Sequence, residues 1–305
     1  MASIRSHALS AGGVAGVARM ARSDPGFVVN ASELDAHPYE LNTPGGIVDL
    51  RTGDIRPADP RQLHTRSTSV TPDFERRSVV WDRFLDDTFG DDRGLRGYVQ
   101  RLLGVSAIGT VREQLLPFAY GAGANGKSTL LEAAIHALGL GGSGYAIAAS
   151  SELLMLRPFA DHPTELAQLA GARLVLCSEL NEGQKFAEAR VKLLTGRDSI
   201  PARFMRGNWF TFTPSHTLWL LGNHRPEVQS GGPAFWRRVR LIPFVNSTPI
   251  ALQDGQLGER LQQDAPAVLA WIVRGAVDFH RDGLREPAGY RAMDQREALK
   301  VLIRP

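Results

Sequence analysis

The run Gly121-Ala122-Gly123-Ala124-Asn125-Gly126-Lys127-Ser128 places glycines, a lysine and a hydroxyl at the spacing of a phosphate-binding loop. Glycines let a loop backbone wrap with its N–H groups pointing inward. A helix starting at the loop adds its dipole, so a triphosphate meets several aligned donors. Lys127 then reaches the β- and γ-phosphates as a point charge, Ser128 offers its hydroxyl to Mg²⁺, and Thr129 follows in the first helical turn. Such a site also needs a carboxylate to hold the metal or orient an attacking water. Glu179 is the candidate, because it ends the apolar run Arg173–Ser178 and would be a second metal ligand beside Ser128. Ser178 stands where an aspartate is common. That leaves one carboxylate at the strand end, with Glu182 three residues on to assist.

These groups need elements that bring them together. Leu115–Tyr120 reads as a strand leading into the loop and Thr129–Leu138 as a helix leaving it, the strand–loop–helix context the motif requires. Tyr145–Ala149, Leu174–Cys177 and Thr217–Leu221 are further strand-like runs, alternating with helical stretches, which predicts an α/β fold with a mostly parallel sheet flanked by helices. Upstream, apolar spacing over Trp81–Ile108 predicts two helices separated by an Asp/Gly break. The first seventy or so residues form a small mixed region, with β-like pieces at Phe27–Val29 and Ile47–Leu50 and a turn at Thr52–Asp54. After Pro249 the pattern is helical over Leu257–Leu261 and Pro266–His280, with Pro266 suited to a first turn and Gly283 to a stop. The expected division is a lead-in region 1–108, a nucleotide-binding core 109–247 and a helical segment 248–305, without internal repeats.

Composition narrows the class. The 305 residues are 43% hydrophobic and 22% charged, which excludes a disordered tail, a collagen-like fibre and a multi-span membrane protein. Met1–Asp24 reads as a short surface helix rather than a signal peptide, since glycines interrupt its weakly apolar run. The single cysteine, Cys177, sits in an apolar run as a buried, inert thiol and fits a reducing, intracellular compartment. The net charge of +3 is small, yet Lys185–Arg240 carries ten basic against three acidic side chains, a local +7 that leaves −4 for the rest. Only four of the 35 basic residues are lysines: Lys127, Lys185, Lys192 and Lys300. Within the basic segment, Ile200–Arg206 and Trp209–Phe212 read as two short strands around an Arg206-Gly207-Asn208 turn. Phe204, Phe210 and Phe212 are expected on its inner, core-facing side.

Seven segments then occur in order: Gly123–Ser128, Ser178–Gly183, Lys192–Asp198, Ala202–Phe204, Phe212–Pro214, Leu220–Pro226 and Trp236–Phe244. Together with Gly46–Gly53 they resemble the helicase part of phage and plasmid primase-helicases, the poxvirus-type group of superfamily 3 helicases, over roughly residues 40–290. The resemblance implies a P-loop NTPase of modified AAA+ type that hydrolyses ATP with Mg²⁺. It implies assembly as a ring, usually a homo-hexamer, that moves along single-stranded DNA to open a duplex. Carried onto this sequence, Asn223 resembles the sensor that places the attacking water, and Arg237 and Arg238 resemble the arginine-finger region that reaches a neighbouring subunit's nucleotide. Which of the two arginines makes that contact is open at this point. A hairpin between the acidic strand and Asn223 is expected to grip DNA through Lys192, Arg203 and Arg206, with Trp209 as a stacking face.

The resemblance also sets limits. No segment has the length or clustered carboxylates of a primer-synthesising domain, so a separate primase or replication initiator is an expected partner and a membrane is not. The helical end stops where related proteins continue into a winged-helix module, which suggests a truncation. Cytoplasm of a bacterial or phage-infected cell is the expected location. Two other functions fit part of the pattern: a nucleotide-gated DNA-binding scaffold with weak turnover, which the Ser178-Glu179 pair favours, and a small-molecule P-loop kinase, which the arginine pair disfavours.

Overall fold

A computed structural model of the chain describes residues 10–24, 26, 28–156, 163–178, 183–223, 228 and 232–287. Within it, Met1–Ala36 with Asp59–Thr65 form one compact unit and the remaining residues another. In the first unit the described part holds helix α1 (Ala11–Ala21), capped by Ser10, whose Oγ accepts from Gly13 N at 3.1 Å. None of its residues is buried, as expected for a surface helix. Val28 and Val29 form no strand, contrary to the β-like reading of that run, and Phe27 lies outside the described residues.

The second unit opens with an antiparallel sheet of β1 (Glu40–Thr43), β2 (Gly46–Asp49) and β3 (Ile55–Arg56). The Thr52–Asp54 turn closes β2 onto β3 through Asp49 N donating to Asp54 O at 2.9 Å. Gly46 has φ +137° and its missing Cβ would lie 2.4 Å from Arg56 O, so only glycine fits between these strands. Helices α2 (Val79–Phe89) and α3 (Arg93–Ser106) follow, separated by the anticipated break and capped by Ser78 and Asp92.

The core contains β4 (Leu116–Tyr120), α4 (Lys127–Leu138), β5 (Ala146–Ser150), α5 (Pro163–Ala167), β6 (Leu174–Ser178) and α6 (Glu188–Leu194). It continues through β7 (Ile200–Arg203), β8 (Trp209–Phe212), β9 (Thr217–Gly222), α7 (Pro233–Trp236) and β10 (Val239–Pro243). The main sheet is wholly parallel in the order β10-β4-β9-β6-β5, and β7 and β8 pair separately as a hairpin. Period-2 alternation explains why its strands read as continuous apolar runs. Leu174, Leu176, Trp219, Leu221 and Ile242 enter the core on one face, while Val175, Cys177, Leu218, Leu220 and Leu241 enter that on the other. Cys177 is buried as expected, and burial pushes its thiol up to about 12, leaving it inert.

The chain closes with α8 (Leu257–Gln263) and α9 (Ala265–Asp282). The expected boundary at residue 108 does not divide the structure. Helices α2 and α3 share one apolar core with α4, α9 and the sheet, and Trp219 Nε1 of β9 donates to Ser106 Oγ at 2.8 Å. The reason is local: α3 has two adjacent apolar stripes, one of which the sheet alone would leave exposed. Gly104 of α3 and Gly275 of α9 let the two backbones touch, since a Cβ on Gly104 would lie 2.1 Å from Ala276 N and one on Gly275 2.1 Å from Gln100 O.

Two predictions come from these contacts. Alanine at 104 gains about 1 kcal/mol of helix propensity but forces the helices apart, so Gly104→Ala is expected to lower stability by roughly 2 kcal/mol net in urea unfolding. His216, buried just before β9 with Nε2 3.1 Å from Leu194 O, is pushed down from 6.5 to about 4 by burial. Its neutral form therefore contributes stability that is complete above pH 6.5 and lost as pH falls toward 4, at most about 3 kcal/mol. The urea midpoint should decline across that window in the native protein and more shallowly in His216→Gln.

Candidate functional site

The phosphate loop joins β4 to α4, at the edge where parallel strands end and where α/β sheets place ligands. Its path is tight. A Cβ on Gly121 would lie 2.1 Å from Asn125 Nδ2 and 2.3 Å from Phe244 O, while Gly123, Ala124 and Gly126 have φ of +110°, +47° and +81°. Ala124 is the one non-glycine residue of the three, and it sits in the left-handed region at some cost in strain. Gly126 begins α4 without a side-chain cap, so the first-turn N–H groups are left for an incoming anion.

Lys127 is buried, and its Nζ donates to Gly121 O at 3.1 Å and to Asn125 Oδ1 at 3.3 Å. Desolvation lowers its pKa below the usual lysine value. Asn125 in turn donates from Nδ2 to Phe244 O at 2.8 Å. The segment after β10 holds the loop from outside: Thr248 N donates to Ala124 O at 2.7 Å and Ser247 Oγ to Gly123 O at 3.2 Å. Ala122 and Ser128 are exposed and Thr129 is half-buried.

Beside the loop lies a cavity of about 490 Å³, a volume within the range of small-molecule sites. Thr129 and Asn125 form its floor, Val80 and Phe84 of α2 one wall, and Leu257 and Arg260 of α8 the other. The sequence did not disclose this cavity, because its two walls are more than a hundred residues apart and neither carries a motif. Their only signal is amphipathic helical spacing.

Asn223 is exposed and follows β9 directly. Tyr120 pairs with Gly222, so Asn223 stands level with Gly121 on the adjacent strand, about 5 Å away in the hydrogen-bonding direction. Ser178 ends β6, the next strand. Glu179 and Glu182 lie outside the described residues, as do residues 224–227 of the Leu220–Pro226 segment. Among the described residues no group of three or more His, Cys, Asp or Glu side chains could hold a metal ion, and no helix is long and apolar enough to cross a membrane.

The two arginines divide. Arg238 is 6% exposed; its Nε donates to Thr195 Oγ1 at 3.0 Å, its NH2 group to Gln114 Oε1 at 3.0 Å and its NH1 group to Ala234 O. Burial, with the adjacent Arg237 charge, lowers its pKa. Of the two arginines left open for a neighbouring subunit's nucleotide, Arg238 is the one whose donors are spent inside the fold. Arg237 is exposed. Val239 pairs with Leu116 and Pro243 with Tyr120, so Arg237 lies at the edge opposite this chain's own phosphate loop, a strand length of roughly 16 Å away.

The β7–β8 hairpin has the register Ile200↔Phe212 to Arg203↔Trp209 and a five-residue connection, Phe204–Asn208, with Arg206 at φ +59°. Arg203 lies over the Trp209 ring at 5.2 Å. Ile200 and Ala202 are buried, but Phe204 is 55% exposed, Met205 78% and Trp209 59%. Phe204 was expected in the core; β7 ends at Arg203, so alternation stops one residue early and Phe204 stacks on Phe210 at 5.3 Å on the hairpin surface. Phe210 and Phe212 are half-buried. Lys192 is half-buried at the last turn of α6, outside the hairpin.

The division between the arginines is testable in stability alone. Arg238→Ala empties a buried site and removes the three hydrogen bonds to Thr195, Gln114 and Ala234, and should cost about 3 kcal/mol, whereas Arg237→Ala should melt within a degree or two of the parent.

Residues 2–90 match the family model described as D5 N terminal like, and residues 119–238 match a family of unknown function, DUF5906. The mimivirus protein "Putative helicase L207/L206" (Acanthamoeba polyphaga mimivirus) is 28% identical over 233 residues, 73% of this chain and 23% of that protein. "Putative helicase 121R" of Invertebrate iridescent virus 3 is 26% identical over 224 residues, 69% of this chain and again 23% of the relative. The chain thus spans under a quarter of the length of these curated relatives. In fold it is similar to the apo C-terminal region of NrS-1, with a TM-score of 0.57 at 12% identity, covering 88% of this chain and 58% of that one. Over about seven-tenths of its length, then, the chain is similar to viral proteins named as putative helicases.

Proposed function

We propose that this chain is the ATP-hydrolysing motor of a replicative DNA helicase, acting in a ring on single-stranded DNA. The observation that carries this reading is the uncapped start of α4, wrapped by the loop at Gly121–Ser128 and opening onto a nucleoside-sized cavity, with Asn223 level beside it. The donor set fits a nucleotide: free helix N–H groups for phosphate, Lys127 for the β- and γ-oxygens, and apolar walls at Val80, Phe84 and Leu257 for a base. Mg²⁺, bound through Ser128 and the phosphates with Glu179 as the expected acid, would neutralise charge developing on the transferred group. Asn223 can accept from the attacking water while donating to the γ-phosphate, and the γ-phosphoryl group passes to that water to leave ADP and inorganic phosphate.

Arg237 cannot reach its own chain's nucleotide from the opposite sheet edge, which suits a contact to a neighbouring copy and hence a ring. The hairpin supports the nucleic-acid part of the reading. Arg203 and Arg206 supply charge for phosphates, and Trp209, with the exposed Phe204, supplies stacking faces that tolerate any base. Ser178 at the end of β6 keeps a second reading in view, a nucleotide-gated DNA-binding scaffold with little turnover.

Phosphate release measured with and without single-stranded DNA decides between them. The motor reading expects DNA to accelerate turnover, Lys127→Ala to abolish it, and Arg237→Ala to reduce it by roughly a thousandfold alone while depressing mixtures with the parent protein. DNA binding without accelerated turnover would support the scaffold, and turnover indifferent to DNA would overturn both.

A further inference from the structure

We propose that Asp264 is a positioning residue that sets the width of the nucleoside cavity by tying the start of α2 to the junction of α8 and α9. This rests on the nucleotide reading above and concerns how the nucleoside, rather than the phosphates, is held. Asp264 ends α8 and begins α9. One of its carboxylate oxygens accepts from Ser78 Oγ and the other pairs with the NH2 group of Arg76. Ser78 is itself the cap of α2, its Oγ accepting from Trp81 N at 3.0 Å. The same strap is fastened a second time, by Asp73 N donating to Pro266 O at 3.1 Å.

The cavity's opposing walls start from these fastenings. Val80 and Phe84 belong to the first two turns after Ser78, and Leu257 and Arg260 to the two turns before Asp264. Helix α8 has seven residues, of which Leu261 is the buried one, so apolar packing alone fixes that wall weakly and a charge-assisted bond at its end has leverage over it. The phosphate loop is hydrogen-bonded elsewhere, to Phe244, Ser247 and Thr248, and meets α2 only later along the helix, where Phe84 and Thr88 lie beside Gly126. A loosened clamp therefore acts first on the nucleoside wall, while the loop keeps its own hydrogen bonds.

The 305-residue chain with Mg²⁺ provides the test, using ATP and inorganic tripolyphosphate as probes against the parent, Asp264→Asn and Arg76→Gln. The parent should bind ATP more tightly than tripolyphosphate. Each variant should weaken ATP by roughly five- to tenfold and leave tripolyphosphate within about twofold. Arg76→Gln alters a partly exposed end of the clamp and should melt close to the parent, so it reports on the clamp even where Asp264→Asn folds poorly. Equal losses for both probes, unchanged ATP affinity, or a parent that prefers tripolyphosphate would each overturn the proposal while leaving the phosphate loop in place. A parent that binds neither probe would overturn the nucleotide reading itself.

Discussion

Five parallel strands buried on both faces impose a single constraint: all their carboxyl ends emerge at one edge, and all their amino ends at the other. No backbone group within such a sheet can turn toward a ligand, so chemistry is confined to the two edges. The carboxyl edge receives the phosphate loop from β4 and Asn223 from β9, side by side because β9 is inserted between β4 and β6. The amino edge receives Arg173, His216, Arg237 and Arg238. Sheet order thus does the sorting that sequence order does not.

Where the apolar core thins out, arginines take over as connectors. Arg173 lies over the Tyr145 ring at 4.3 Å and donates to Ala107 O, Arg197 donates to Val111 O and Arg112 O, and Arg66 bridges Gly144 O and Ala170 O. Arg238 does the same beneath α7. A planar fork of donors can satisfy several carbonyls that loops leave unpaired, which a lysine cannot do with fixed geometry. The local excess of positive charge in Lys185–Arg240 is therefore divided: Arg197 and Arg238 close the fold, while Arg203, Arg206 and Arg237 remain outward. A charge count could locate the segment but not make this division.

What could be read from the sequence follows the same line. Strands β4, β6 and β9 and helices α2, α3, α4 and α9 were legible because burial on one or two faces writes a period into the apolar residues. The strand–loop–helix at Gly121–Ser128 was legible because the motif puts particular residues at consecutive positions. The partition of Arg237 from Arg238 was not, since neighbouring residues in a turn have no fixed period and their fates depend on Thr195 and Gln114, distant in sequence. Phe204 was misplaced for a similar reason: an aromatic in alternation with Ile200 and Ala202 looks inward until the strand's end is known. The cavity walls at α2 and α8 belong to the same class of information, because only tertiary packing brings them together.

The hydrogen bonds that hold the phosphate loop give β10 a particular place. Its carboxyl end is bonded to the loop through Phe244, Ser247 and Thr248, and its amino end abuts Arg237. Between these ends the strand is paired in register with β4 over its whole length, from Val239↔Leu116 to Pro243↔Tyr120. The register of a strand bonded in that way is fixed, since sliding it by one residue would reverse which side chains face each core. On the motor reading, the loop that would hold phosphate and the arginine that would serve a neighbour are thus joined by one strand, whereas Asn223 and the hairpin stand at opposite ends of β9, which is paired on both sides with β4 and β6.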